Sequence, residues 1–176
     1  EEGQAFLDEL LLLRAFTNPP MMRGPEILFY RMWQPQHTLD VAFGDTINLI
    51  GYDISSENPA PGDEIQLTFY WQAASAPQRD YSLFLHLLPQ SDEATAPIAQ
   101  YDGAPVRSER PTYTWANPSE VLISQPIMLT LPADSQPGAY RLLMGLYDWE
   151  TLVRLPVTPA DGLSDAYDLL QFDIAP

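Results

Sequence analysis

Apolar and polar side chains alternate through the middle and end of this chain, most cleanly from Glu64 to Gln72. There Ile65, Leu67, Phe69 and Trp71 share one face, and Glu64, Gln66, Thr68, Tyr70 and Gln72 share the other. A period of two sets one face on a core and the other in water, as in an antiparallel sheet. A slip of one residue would bury the Glu64 and Gln66 face, so the register is specified. The stretch Pro137 to Asp148 repeats the pattern behind a Pro-Gly turn. Proline presets φ near about −65° and glycine supplies the positive φ that a type II turn requires. Tyr140, Leu142, Met144 and Leu146 then form one face, and Arg141, Leu143, Gly145 and Tyr147 form a mixed second face, as expected of a strand flanked on both edges. Pro61-Gly62-Asp63 uses the same turn to start the 63–72 strand.

Further strands are predicted at sandwich-like spacing. Residues 45–54 alternate, with Ile47, Leu49 and Gly51 opposite Asn48, Ile50 and Tyr52. Tyr81 to Leu88 is apolar on both faces apart from Ser82 and His86, which suits the middle of a sheet. A short strand at 98–101 ends at Asp102-Gly103, and a strand at 121–131 is interrupted by Pro126, which implies a bend or an edge. A segment at 152–157 and a closing strand at 167–174 follow. The longest irregular stretch, residues 104–120, carries Pro105, Pro111 and Pro118 together with Tyr113 and Trp115.

The amino-terminal part has another periodicity. Residues 4–16 are good helix formers, with Phe6, Leu10 and Leu13 on one stripe and Leu7 and Leu11 beside it. They predict a short amphipathic helix closed by Asn18-Pro19-Pro20. Residues 26–33 read as an extended segment, and Gln34-Pro35-Gln36-His37 as a linker-like turn. The expected organisation is a 1–40 extension of helix and extended segment, then a β-sandwich domain over 41–176. The fold class is all-β, an immunoglobulin-like antiparallel sandwich with a short N-terminal helix. In that order 45–54, 63–72, 81–88, 98–101, 121–131, 138–148 and 167–174 take positions A, B, C, C′, E, F and G. A jelly roll is the alternative.

Composition supports many short strands. The 176 residues include 18 prolines, nine tyrosines, seven phenylalanines and four tryptophans, and that length suffices to bury one substantial core. Twenty-four acidic side chains face eight basic ones, all arginine, for a formal net charge of −16. Such a surface repels phosphates, so nucleic acid is excluded as a partner and docking on an anionic leaflet is disfavoured. Because the acidic residues are dispersed, a solvated, self-repelling surface is their simplest role. With no cysteine there is no disulfide and no thiol chemistry. No segment approaches the ~20 apolar residues of a membrane-spanning helix, and the first residues lack the basic region and cleavage site of a signal peptide. The chain starts at Glu1 and is read as a fragment, with any targeting information outside it.

Catalytic constellations are sparse. His37 lies beside Pro35, and His86 lies mid-strand with no serine in a Gly-x-Ser-x-Gly turn, so a hydrolase is disfavoured. Asp45, Asp63 and Asp80 all precede strands, where carboxylates accept from turn amides. Asp148, Glu150, Asp161, Asp165 and Asp168 cluster late in the chain, but their spacing matches no calcium-binding loop. No cofactor, metal site or catalytic residue is expected. A binding module needs less: exposed aromatic planes that stack on pyranose rings, flanked by amides and carboxylates. Tyr113, Trp115 and Trp149 are the aromatics least explained by strand alternation and are the candidate ligand-binding residues. For Trp115 the alternative is a plug for an open end of the sandwich.

An ordered set of segments across 43–157 carries a family likeness: Phe43 to Tyr52, Pro61-Gly62-Asp63 to Tyr70-Trp71-Gln72, Asp80 to Leu87, Gln100-Tyr101-Asp102, Pro111 to Trp115, Pro137 to Asp148, and Arg154-Leu155-Pro156. The set resembles the soluble carboxyl-terminal domain of bacterial multi-span glycosyltransferase-like membrane proteins of the dolichyl-phosphate-mannose mannosyltransferase type. It departs from that pattern after Trp115, where Ala116-Asn117-Pro118-Ser119-Glu120 stands in place of Pro-Gly-Glu. The resemblance implies a non-catalytic appendage on the extracytoplasmic side of the cell membrane, in the cell envelope, with catalysis in a membrane region outside this fragment. The expected partners are a glycan or that membrane-embedded region. A structural protein-protein interaction domain without a small-molecule ligand is the alternative.

Overall fold

The computed structural model describes residues 10–16, 27–32, 34–90, 96–158 and 165–174, the first two stretches by backbone alone. The chain divides into two compact units, Glu1–Pro35 and Gln36–Pro176. In the first, Leu10–Phe16 (β1) pairs antiparallel with Ile27–Met32 (β2), with a register irregularity between Leu12 and Arg14. This corrects the helix expected over residues 4–16. Its last seven residues are a strand, and the rest of it lies outside the described residues. A leucine run bounded by aromatics fits either period. An isolated helix of this length is marginal in water, whereas pairing with the β-favouring Ile27-Leu28-Phe29-Tyr30 satisfies the backbone of both segments.

The second unit contains His37–Phe43 (β3), Ile47–Ile54 (β4), Glu64–Ala73 (β5), Tyr81–Pro89 (β6), Ala99–Gly103 (β7), Leu122–Ile123 (β8), Ile127–Thr130 (β9), Gly138–Asp148 (β10), Val157–Thr158 (β11) and Tyr167–Ile174 (β12). They form two open antiparallel sheets, one in the order β12-β10-β6-β7 and the other in the order β11-β3-β4-β5-β8, with β9 also on β5. The class is all-β and sandwich-like. One core joins Phe43, Leu49, Phe69 and Trp71 of one sheet to Leu83, Leu85, Leu142, Met144 and Leu146 of the other. Thus the faces expected for β5 and β10 are the ones that point inward. At about 25 cal/mol per Å² of apolar surface removed from water, this shared core is the main term holding the sheets together.

Three local features differ from simple alternation. In β4 the ladder to β5 passes from Leu49↔Trp71 to Gly51↔Tyr70, leaving Ile50 as an extra residue, and the pairing with β3 shifts at the same place. This bulge reverses the expected faces beyond it, so Tyr52 and Ile54 join Ile47 and Leu49 in the core. His37 belongs to a strand rather than a linker. Its ring stacks on Tyr52 at 4.6 Å and its Nε2 lies 3.0 Å from Glu57 Oε1. The strand expected at 121–131 is split into β8 and β9 around Pro126, and both pair along the edge of β5. Between them the Ser124 hydroxyl accepts from the Phe69 amide at 2.8 Å, replacing a ladder bond.

The two Pro-Gly turns also part ways. Gly62 has φ 91°, and the Asp63 amide donates to the Ala60 carbonyl, a closed type II turn. Gly138 has φ 146°, outside the type II range, and leads straight into β10.

Candidate functional site

Pairing of β10 with β6 sets Asp148 opposite Tyr81. The chain before β6, Gln78 to Asp80, therefore meets the chain after β10, Trp149 and Glu150. A third wall comes from Thr112–Thr114, a single 3-10 turn inside the long 104–120 stretch. Buried Thr112 ties these parts together. Its hydroxyl donates to the Arg79 carbonyl at 2.9 Å and accepts from the Tyr81 amide at 2.8 Å, while its own amide donates to Asp80 Oδ1 at 2.9 Å. With both its backbone and side chain engaged, the next residue, Tyr113, is held in a fixed place.

The result is a cleft of about 620 Å³ lined by Gln78, Arg79, Asp80, Tyr113, Asp148, Trp149 and Glu150. Tyr113 is 56% and Trp149 57% exposed, unusually open for large aromatics. Arg79 Nη1 lies 2.8 Å from Asp148 Oδ2 and 3.5 Å from Glu150 Oε2. Its remaining guanidinium donors, and Asp80 Oδ2, have no protein partner among the described residues.

Asp148 shapes the loop that carries Trp149. Its Oδ1 accepts from the amides of Glu150 at 2.9 Å and Thr151 at 3.4 Å, and its backbone bonds to Leu152 and Val153 close the turn. Leu152 completes that turn at φ 60°, a conformation that costs a branched side chain on the order of 1–2 kcal/mol. Burial alone would push the Asp148 carboxyl up. The Glu150 amide, the Thr151 hydroxyl and amide, and the Arg79 guanidinium together outweigh burial and hold it below the usual carboxylate value.

Of the three aromatics singled out in the sequence, Tyr113 and Trp149 thus line one cleft. Trp115 does not join them. It is fully buried, 6.5 Å from the Trp71 ring, and its Nε1 donates to the Arg110 carbonyl at 3.1 Å, so no face of the indole is open to a ligand and its placement fits the plug alternative. Gln78 and Arg79 carry no motif in the sequence. Their signal is only that they directly precede a strand whose partner ends at Asp148. Asp80, expected to accept from a turn amide next to its strand, accepts instead from the Thr112 amide of the long 104–120 stretch. Within the late acidic cluster, Asp148 and Glu150 engage Arg79, Asp165 lies 3.7 Å from Arg154, and Asp168 accepts from Gln171; Asp161 lies outside the described residues.

Two other places contrast with this cleft. On the outer face of the β10 sheet Arg154 sits 4.3 Å above the Phe84 ring, which also contacts His86 and Tyr147. Phe84 can lie flat there because Gly145 has no Cβ to strike its ring. Burial and the Arg154 charge lower the His86 pKa, with Asp102 opposing them. Arg154 closes this cluster over. At the other end of β10 a second cleft, about 580 Å³, is lined chiefly by Pro89, Gln90, Pro132, Ser135 and Pro137. Its one aromatic, Tyr140, is buried, with the hydroxyl donating to Gln136. Of these three places, the Tyr113–Trp149 cleft is the one that brings exposed rings together with polar groups lacking a protein partner among the described residues. No family model and no curated protein matches the chain.

Proposed function

We propose that this chain is a non-catalytic, immunoglobulin-like β-sandwich module that binds a saccharide between Tyr113 and Trp149. It serves as an extracytoplasmic accessory domain of a membrane glycosyltransferase-like protein whose catalytic part lies outside this fragment. The observation that carries the binding role is the meeting of two exposed aromatic rings with Arg79 donors and an Asp80 acceptor in one cleft. Flat apolar faces take the C–H side of a pyranose, and a few fixed polar groups orient its hydroxyls. The strand order supports the immunoglobulin-like assignment: β12-β10-β6-β7 corresponds to G-F-C-C′ and β4-β5-β8 to A-B-E, with β3 and β11 as additions beyond position A. The cell-envelope context rests on the resemblance of the ordered segments between Phe43 and Pro156.

A glycan array followed by calorimetric titration tests the binding role. Trp149→Ala and Tyr113→Ala are each expected to weaken the best saccharide at least about tenfold, as for a central contact residue, while the fold stays intact. Retention of full affinity in both variants would remove this cleft as the site. A protein-docking role without a small ligand is favoured by one observation, the exposure of Leu152 at 72% and Val153 at 63% on the Trp149 loop. If it holds, no glycan binds, and Leu152→Ser with Val153→Ser releases a protein partner.

A further inference from the structure

The charge in the cleft limits which sugar it takes. Granting the saccharide reading of this site, we infer that it selects neutral or amino-bearing pyranosides and rejects uronates and other anionic sugars. Among the described residues, three carboxylates, Asp80, Asp148 and Glu150, line the space with a single cation, Arg79. That cation is already neutralised. Its Nη1 faces Asp148 at 2.8 Å and Glu150 at 3.5 Å, and the Asp148 carboxyl is held ionised by two amides of its own loop.

An incoming carboxylate would find no free positive charge and would stand among like charges, which at this spacing and partial exposure costs at least about tenfold in affinity. A neutral sugar meets different groups. Among the described residues, Arg79 keeps guanidinium donors without a partner, and Asp80 keeps Oδ2 as an acceptor because Oδ1 is taken by Thr112. A donor and an acceptor lining one cleft can each serve a hydroxyl of the same sugar, one accepting from Arg79 and one donating to Asp80. An ammonium in place of one hydroxyl would donate to Asp80 and gain from the surplus negative charge.

The test is calorimetry on the whole chain with methyl glycosides of the gluco, galacto and manno series, each in neutral, 2-amino and uronate forms. In the series that binds, the neutral form is expected to exceed the uronate at least about tenfold at low salt, the amino form to equal or exceed the neutral one, and the gap to narrow in salt. Glu150→Gln, an exposed position, and Asp80→Asn, which keeps an acceptor for Thr112, should each raise uronate affinity relative to neutral sugar. A uronate that binds as tightly as its neutral counterpart overturns the charge selection and leaves the saccharide site standing. If no member of any series binds, the saccharide site itself is refuted and the selection falls with it.

Discussion

Trp115 and Trp149 sit in comparable settings and end in opposite ones. Each lies in a loop, and each loop is closed by an arginine on carboxylate. Arg110 Nη2 donates to both oxygens of Glu120 at 2.5 and 2.6 Å, and Arg79 Nη1 pairs with Asp148 and Glu150. Around Trp115 the clasp folds the loop inward, where the indole meets Trp71 and spends its N–H on the Arg110 carbonyl. Around Trp149 the clasp fixes a tight turn at a strand end, and the ring is left outside. The same residue type is structural in one loop and available for recognition in the other. The difference lies in what each ring meets: Trp115 has Trp71 and the Arg110 carbonyl, whereas Trp149 is 57% exposed.

Replacement experiments can break this contrast. The largest effect is expected for Trp115→Ala, which removes a fully buried indole and should cost about 3–5 kcal/mol in urea unfolding; a loss under ~1 kcal/mol would mean the ring is not part of the core. Thr112→Val comes next. It leaves the Tyr81 amide and Arg79 carbonyl without their partner and should cost about 1–3 kcal/mol, while loosening Tyr113 enough to weaken any ligand of the cleft.

Acid dependence sharpens the Trp149 side. The folded Asp148 pKa lies below its unfolded value, so between the two the unfolded chain takes up the proton first and stability falls with falling pH. The stability advantage of the native protein over Asp148→Asn should be full at neutral pH and shrink below about pH 4. An advantage that grows on acidification would reverse the assignment. The smallest stability change belongs to Trp149→Ala, within ~0.5 kcal/mol, since an exposed ring gives up little packing.

Much of the sandwich was legible because strand periodicity and turn residues pointed the same way. The inward faces of β5 and β10 follow directly from Ile65-Leu67-Phe69-Trp71 and Tyr140-Leu142-Met144-Leu146. The bulge at Ile50 was not legible, since nothing in Leu49-Ile50-Gly51 distinguishes an extra residue from a continuing strand. The Leu10–Phe16 strand was not legible because leucine serves a helix and a sheet alike, and the choice was made by pairing with the next extended segment, Ile27–Met32. The candidate cleft was half legible. Loop position flagged Tyr113, Trp115 and Trp149 together. Separating the buried ring from the exposed pair needed the Asp148↔Tyr81 register and the Thr112 hydrogen bonds, which are long-range facts.

The most direct measurement follows the indole N–H signals of nitrogen-15-labelled protein during titration with the best-binding neutral glycoside, with Trp149 assigned through Trp149→Phe. The N–H groups of Trp71 and Trp115 are bound to the Pro105 and Arg110 carbonyls in the interior. The Trp149 signal is expected to shift saturably while those two stay in place. Saccharide binding that leaves the Trp149 signal unmoved, or the absence of binding by any glycoside, would contradict the account.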